Sequence, residues 1–254
     1  MGIVVLGFYL YENYNDKTSL PIITDDEIDT NSYYLPTSTT NQIIHQQYYS
    51  LSYHETHEQA EWVAYELKKK HLSDAQRKRP YFNEDPKVSS GSAHWRNYKN
   101  SGYDRGHLCP AGDRRFSLQA YNETFYTSNI TPMRNDFNAG IWNRLEQKTR
   151  YWAKKYDGVF VVTGGILNQQ QKTIGKEKVT VPDYFYKILL DNRKGTFRLL
   201  AFLIPHEQSK ASLKRFVVPV DKVEELTGID FFPNLPDDQE SREEATVNLS
   251  NWHF

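Results

Sequence analysis

Two apolar runs, residues 184–190 and 197–204, stand on either side of a short polar turn at 191–195. Aromatic and aliphatic side chains dominate both runs, which read as two strands joined by that turn. A third run, 159–163, is continuous, rich in β-branched residues and closed by Gly164-Gly165, the mark of a buried strand ending in a turn. Residues 48–53 and 216–220 add two shorter strands. Helical signals are fewer. Thr56-His57-Glu58-Gln59 spells a capping box, and Ala60, Val63, Ala64 and Leu67 recur behind it at helical spacing. Residues 137–156 read as one long helix with Ile141, Trp142, Leu145 and Trp152 on its apolar side, and a short helix ends near Gly228. Several strands with few helices between them imply an α+β fold around a mixed, mostly antiparallel central sheet.

The 254 residues show no obvious linker, so one large domain is expected. Residues 11–44 are polar and lack periodicity, which predicts a leader or arm over 1–44 and a single folded domain over 45–254. The apolar stretch 3–10 reads either as the remnant of a signal or anchor segment or as a first strand. No run reaches the roughly 18–20 apolar residues of a membrane span. The single cysteine, Cys109, excludes an intramolecular disulfide and a cysteine-based zinc site.

A net charge of −1 conceals a strong asymmetry. Residues 1–67 carry −9, residues 68–220 carry +15 and residues 221–254 carry −7. A basic middle of this kind supplies sequence-independent attraction to a phosphate backbone. A merely uneven, solvated surface would give the same count.

The densest chemical signal is Asp104-Arg105-Gly106-His107, followed by Leu108, Pro110 and Asp113. Ser128-Asn129-Ile130-Thr131-Pro132 comes next, and then the stretch from Asn138-Ala139-Gly140 to Leu145-Glu146, with Arg150 four residues on. In this order and spacing the segments resemble the endonuclease G-like DNA/RNA non-specific endonucleases, part of the ββα-metal finger superfamily. The resemblance is dense over 102–165 and looser over about 45–235, where it includes Val181-Pro182 and Tyr186-Lys187. It implies a ββα-metal motif, a long helix carrying the metal ligand, and hydrolysis of phosphodiester bonds in DNA and RNA with little regard to sequence.

The resemblance also implies roles. His107 is the expected general base, since an imidazole neutral near pH 7 can take a proton from water. Gly106 before it would let the backbone turn tightly. Asn138 is the expected direct ligand of a single Mg²⁺, with Mn²⁺ as a substitute, because an amide oxygen suits a hard ion that keeps most of its waters. Glu146, about 12 Å further along an unbroken helix, is expected to reach the ion through water. Arg105 and Arg150 are expected to steady the scissile phosphate, with Arg79 as a further phosphate contact, and Asn129 to position the site. Each has a plainer alternative: a hydrogen-bonded core histidine, an N-cap at Asn138, an i,i+4 pair between Glu146 and Arg150, a structural ion pair at Arg105, a glycosylation sequon at Asn129.

The expected partners are DNA and RNA, held through their backbones. A homodimer is compatible with the sequence, which names no protein inhibitor. Two rival functions share the fold: a catalytically silent nucleic-acid-binding protein, and a phosphodiesterase acting on small nucleotides. His54-Glu55-Thr56-His57 is one residue short of a zinc-protease spacing and reads as a helix entrance. Residues 237–244 read as a solvated acidic segment. Export is expected, because an uncontrolled nuclease threatens its host's genome.

Overall fold

The computed structural model describes residues 34–193 and 196–254. The stretch 3–10 and most of the expected leader lie outside the described residues. The strands are β1 (Ile43–His45), β2 (Ser50–His54), β3 (Gln59–Lys68), β4 (Asp104–His107), β5 (Ile130–Met133), β6 (Gly158–Gly165), β7 (Thr173–Ile174), β8 (Val179–Thr180), β9 (Tyr184–Arg193), β10 (Thr196–Pro205) and β11 (Val217–Val218). Four α-helices are labelled α1 (Leu118–Glu123), α2 (Asn143–Tyr156), α3 (Val220–Thr227) and α4 (Asp237–Glu244).

Seven strands form the central sheet in the order β1-β2-β3-β6-β9-β10-β11, and every neighbouring pair is antiparallel. The sheet has two covered faces. Along β9, Phe185 and Leu189 face one core with Trp152 and Tyr156 of α2, while Tyr186, Ile188 and Leu190 face another with Val220 and Val223 of α3. Strands buried on both sides lose the alternation of apolar and polar residues. That explains the continuous apolar runs, and it also misleads.

The helix expected behind Thr56 is a strand. Glu55–His57 forms one 3₁₀ turn, Glu58 takes a left-handed conformation (φ 54°), and β3 runs from Gln59. Ala60, Val63 and Leu67 do share a core, as helical spacing predicted, but so does Tyr65, with Trp62 and Ala64 facing the opposite side. A bulge between Ser52 and Tyr53 of the paired strand shifts the register. Two covered faces let a period of 2 pass for one of 3.6.

The folded unit starts earlier than residue 45. The Trp62 indole donates to the Thr37 carbonyl at 2.8 Å, and the Thr39 amide donates to Glu61 at 3.0 Å. Residues after α4 return to α2: the Trp152 indole donates to the His253 carbonyl (3.0 Å), the Tyr156 hydroxyl to the Asn251 carbonyl (2.8 Å), and the rings of Trp252 and Phe254 stand edge-on to Trp152.

Candidate active site

β4 and β5 pair antiparallel outside the main sheet, with Asp104 opposite Met133 and His107 opposite Ile130. Gly106 has no left-handed backbone to justify it. A Cβ there would lie 2.4 Å from the Met133 side chain, so glycine serves close packing rather than the tight turn expected. Past His107 the chain is clamped by Asn129. Its amide donates to the carbonyls of Cys109 (3.0 Å) and Thr124 (2.9 Å), and its oxygen accepts from the Cys109 amide at 2.8 Å. Asn129 is fully buried, which excludes glycosylation of the folded chain. Asn129→Ala is expected to cost about 3 kcal/mol, since it leaves buried backbone groups unpartnered. Urea unfolding measures this, and an unchanged midpoint would show that the clamp is dispensable.

His107 packs against Phe125 (ring centroids 5.0 Å apart, nearly perpendicular) and Phe82 (5.7 Å). Its Nε2 is buried and has no hydrogen-bond partner. Burial, and then the positive charge of Arg79, push its pKa down to about 3. A buried orphan nitrogen is uncommon in a folded core and asks for an explanation. The guanidinium of Arg105 lies 4.8 Å from the Phe82 ring centre, and that of Arg79 lies 5.3 Å from the same ring. Neither arginine pairs with a carboxylate among the described residues. Two unneutralised guanidiniums on one phenyl ring make a natural seat for an anion. The ion pair considered for Arg105 is absent among the described residues, and Arg79 shares the Phe82 ring with it.

The long helix expected over 137–156 is broken. A helical turn at Asn135–Phe137 passes into a π-helical turn, Asn138–Trp142, with Gly140 at φ −95° and ψ −108°, before α2 begins. The Gln208 side chain fills the space beside Gly140 and accepts the Ile141 amide at 3.2 Å. The straight-helix distance between Asn138 and Glu146 therefore does not apply. Turns of this type concentrate at functional sites.

Asn138 lies within the helical turn rather than at an N-cap. Its amide nitrogen donates to Asp104 at 3.0 Å, and Asn135 donates to the same carboxylate oxygen at 3.1 Å. This bond ties Asn138 to the first residue of the strand that ends in His107. It also leaves the side-chain oxygen of Asn138, Oδ1, without a hydrogen bond from the described residues. One free amide oxygen beside a carboxylate fits a divalent ion that retains most of its waters.

Glu146 and Arg150 belong to a buried ionic network. Arg150 donates to Asp113 at 2.5 Å and to Glu146 at 3.4 Å, and Tyr65 donates to the other Asp113 oxygen at 3.0 Å. Arg150 is thus engaged by two carboxylates, one of them in the i,i+4 pair considered as the alternative. Burial raises the Glu146 carboxyl to about 7 against the pull of Arg150 and Lys187. Lys187 lies fully buried on the α2 side of β9, 4.9 Å from the Trp142 ring centre, with no hydrogen bond to its amine. Burial lowers it to about 8, opposed first by Glu146. Asp104, Asp113 and Lys187 were named within the sequence motifs without being given a role, and Phe82 was passed over. Of these, only Lys187 left a signal, a lysine inside an apolar run.

A cavity of about 530 Å³ is lined by Arg96, Lys99, Lys172 and Lys176 among others. Lys172 packs on the ring of Tyr103, the residue before Asp104, at 5.1 Å. Part of the basic excess of the middle segment is therefore gathered next to β4.

A family model described as DNA/RNA non-specific endonuclease matches residues 26–238. The chain belongs to that family. Its members are metal-dependent nucleases. The mitochondrial nuclease EXOG of Danio rerio is 39% identical over 206 residues, covering 74% of this chain and 60% of the relative. Human mitochondrial endonuclease G is 34% identical over 202 residues, covering 74% and 68%. This endonuclease-family chain thus spans about 60% of the length of the EXOG relative. The crystal structure of an EndoG/EndoGI complex, described as showing the mechanism of EndoG inhibition, superposes with a TM-score of 0.78 at 26% identity, covering 86% of this chain and 96% of the other. The α+β class and the mostly antiparallel sheet agree with that fold. The expectation of export does not hold: the named relatives are mitochondrial nucleases. A dangerous activity can be confined inside an organelle as well as outside the cell, and the sequence argument overlooked the first route.

Proposed function

We propose that this protein is a mitochondrial endonuclease hydrolysing phosphodiester bonds of DNA and RNA, with His107 as general base and Asn138 as the ligand of one Mg²⁺. The observation that carries the reading is the buried, unpartnered Nε2 of a neutral imidazole beside two unneutralised guanidiniums.

Arg79 and Arg105 would take the oxygens of the scissile phosphate in the fork geometry that guanidinium favours. His107 Nε2 would accept the proton of a water that attacks phosphorus, as the bond to the departing 3′ oxygen breaks. Because Nε2 is closed to solvent, that water must be admitted by movement of its neighbours, among which Arg79 is exposed. Held by Asn138, the ion would neutralise charge on the phosphate and on the departing oxygen. Asp104 fixes the Asn138 amide, and Arg150 with Asp113 fixes Glu146, which we place beside the ion without direct contact. The basic cavity next to Tyr103 supports contact with the backbone rather than with bases. The similarity to EndoG in its EndoGI complex extends the proposal to an inhibitory protein partner.

The deciding experiment incubates the protein with supercoiled plasmid, RNA and a small diester, with Mg²⁺ or EDTA. Cleavage of both polymers, abolished by EDTA, is expected. Binding without cleavage would indicate a silent binder, and turnover of the diester alone a small-nucleotide phosphodiesterase. Arg79→Ala gives a separate pH test. The Arg79 charge disfavours imidazolium, so its removal raises the His107 pKa. A general base works deprotonated, so the acid limb of the kcat/KM profile should move to higher pH. An unmoved limb would separate Arg79 from His107.

A further inference from the structure

Residues 237–244, expected to be a solvated acidic segment, form α4, and its last residue, Glu244, is 6% exposed. Carboxylate oxygens of Asp221, Glu224 and Glu244 lie within 4.8 Å of one another. We propose that these three residues form a second divalent-cation site, suited to Ca²⁺, which pins α4 to α3.

Four observations support it. Glu244 Oε1 is buried and has no hydrogen-bond partner, so a carboxylate is aimed into the cluster with nothing to satisfy it. The nearby cations are spent elsewhere: Lys222 pairs with Glu225 at 2.6 Å and Arg242 with Glu243 at 3.5 Å. Glu224 is steadied by accepting the Phe231 amide on Oε1 at 2.8 Å, which leaves its other oxygen for a ligand. Asp221 is exposed, giving an ion a way in and room for its waters.

The chemistry selects the ion. Carboxylate oxygens are hard donors, and three of them within 4.8 Å of one another are close enough to share one Ca²⁺, which takes six to eight oxygens at about 2.4 Å in flexible geometry. Mg²⁺, with contacts near 2.1 Å and a strict octahedron, keeps several of its waters and is rarely held by a set of protein carboxylates alone. Without a cation, Glu244 faces the like charges of Glu224, Glu240, Asp230 and Asp221 in a buried setting, and burial and those charges lift its carboxyl to about 9. The rival is therefore a proton held by Glu244 in place of an ion. The helix α3 packs on the sheet face opposite α2, so this ion would act on stability and not on the reaction.

The test uses the full chain stripped with EDTA, in an Asn138→Ala background that removes the proposed Mg²⁺ ligand. Isothermal titration with CaCl₂ should give one bound ion, and saturating Ca²⁺ should raise the thermal midpoint by about 5 °C. Adding Glu244→Gln or Asp221→Asn should abolish both effects. The proposal is overturned if the Asn138→Ala protein binds no Ca²⁺, or if neither substitution changes binding and midpoint. Should Glu244→Gln fail to fold, exposed Asp221→Asn carries the test alone.

Discussion

His107→Ala is expected to lower plasmid and RNA cleavage by about a thousandfold while the protein remains folded. General-base assistance is worth about 10²–10⁴ in rate, and no other described side chain presents a neutral, unpartnered nitrogen beside Arg79 and Arg105. The fold should survive because Nε2 makes no hydrogen bond to lose. What disappears is ring contact with Phe82 and Phe125, each aromatic pair being worth roughly 0.5–1.5 kcal/mol. Initial rates under saturating Mg²⁺, with circular dichroism as the control, decide the matter. A variant that cuts as fast as the wild type would end the general-base assignment.

Asn138→Ala should have the second largest effect, and a different signature. Its loss removes the proposed ligand oxygen, oriented by Asp104, so activity should fall by at least about a hundredfold, since even outer partners of a metal site commonly cost 10–100-fold. The half-saturating Mg²⁺ concentration should rise with it. Stability should change by only about 1 kcal/mol, because a single partly exposed hydrogen bond to Asp104 is lost. An unchanged Mg²⁺ titration would rule Asn138 out as the ligand.

The two variants together test which parts of the site could be read from the chain. Segments that carry chemistry in a contiguous string were legible: Asp104 to His107 forms β4, and Asn129 follows close enough to be tied to it. Apolar runs located β6, β9 and β10 because burial on both faces leaves few polar residues in them. The same double burial made β3 pass for a helix. Partnerships between residues far apart in the chain stayed hidden, even where the residues themselves were named. Arg79 meets Phe125 across 46 positions of chain, and Lys187 and Glu146 are 41 apart, so no local pattern announces either meeting. The π-helical turn at Gly140 was equally silent, since it depends on the Gln208 side chain 68 residues later. Glu244 carried no sign of burial because the residues on either side of it, Arg242, Glu243, Ala245 and Thr246, are not large apolar residues and are exposed or half-exposed.

Residues 251–254 are held by edge-on ring contacts and carbonyl hydrogen bonds on the helix that also bears Glu146 and Arg150. That arrangement turns the far end of the described chain into a buttress for the reaction centre. Replacing Trp252 with alanine would loosen Trp152 and let α2 rock, and the damage would surface as weakened catalysis some distance from the lesion.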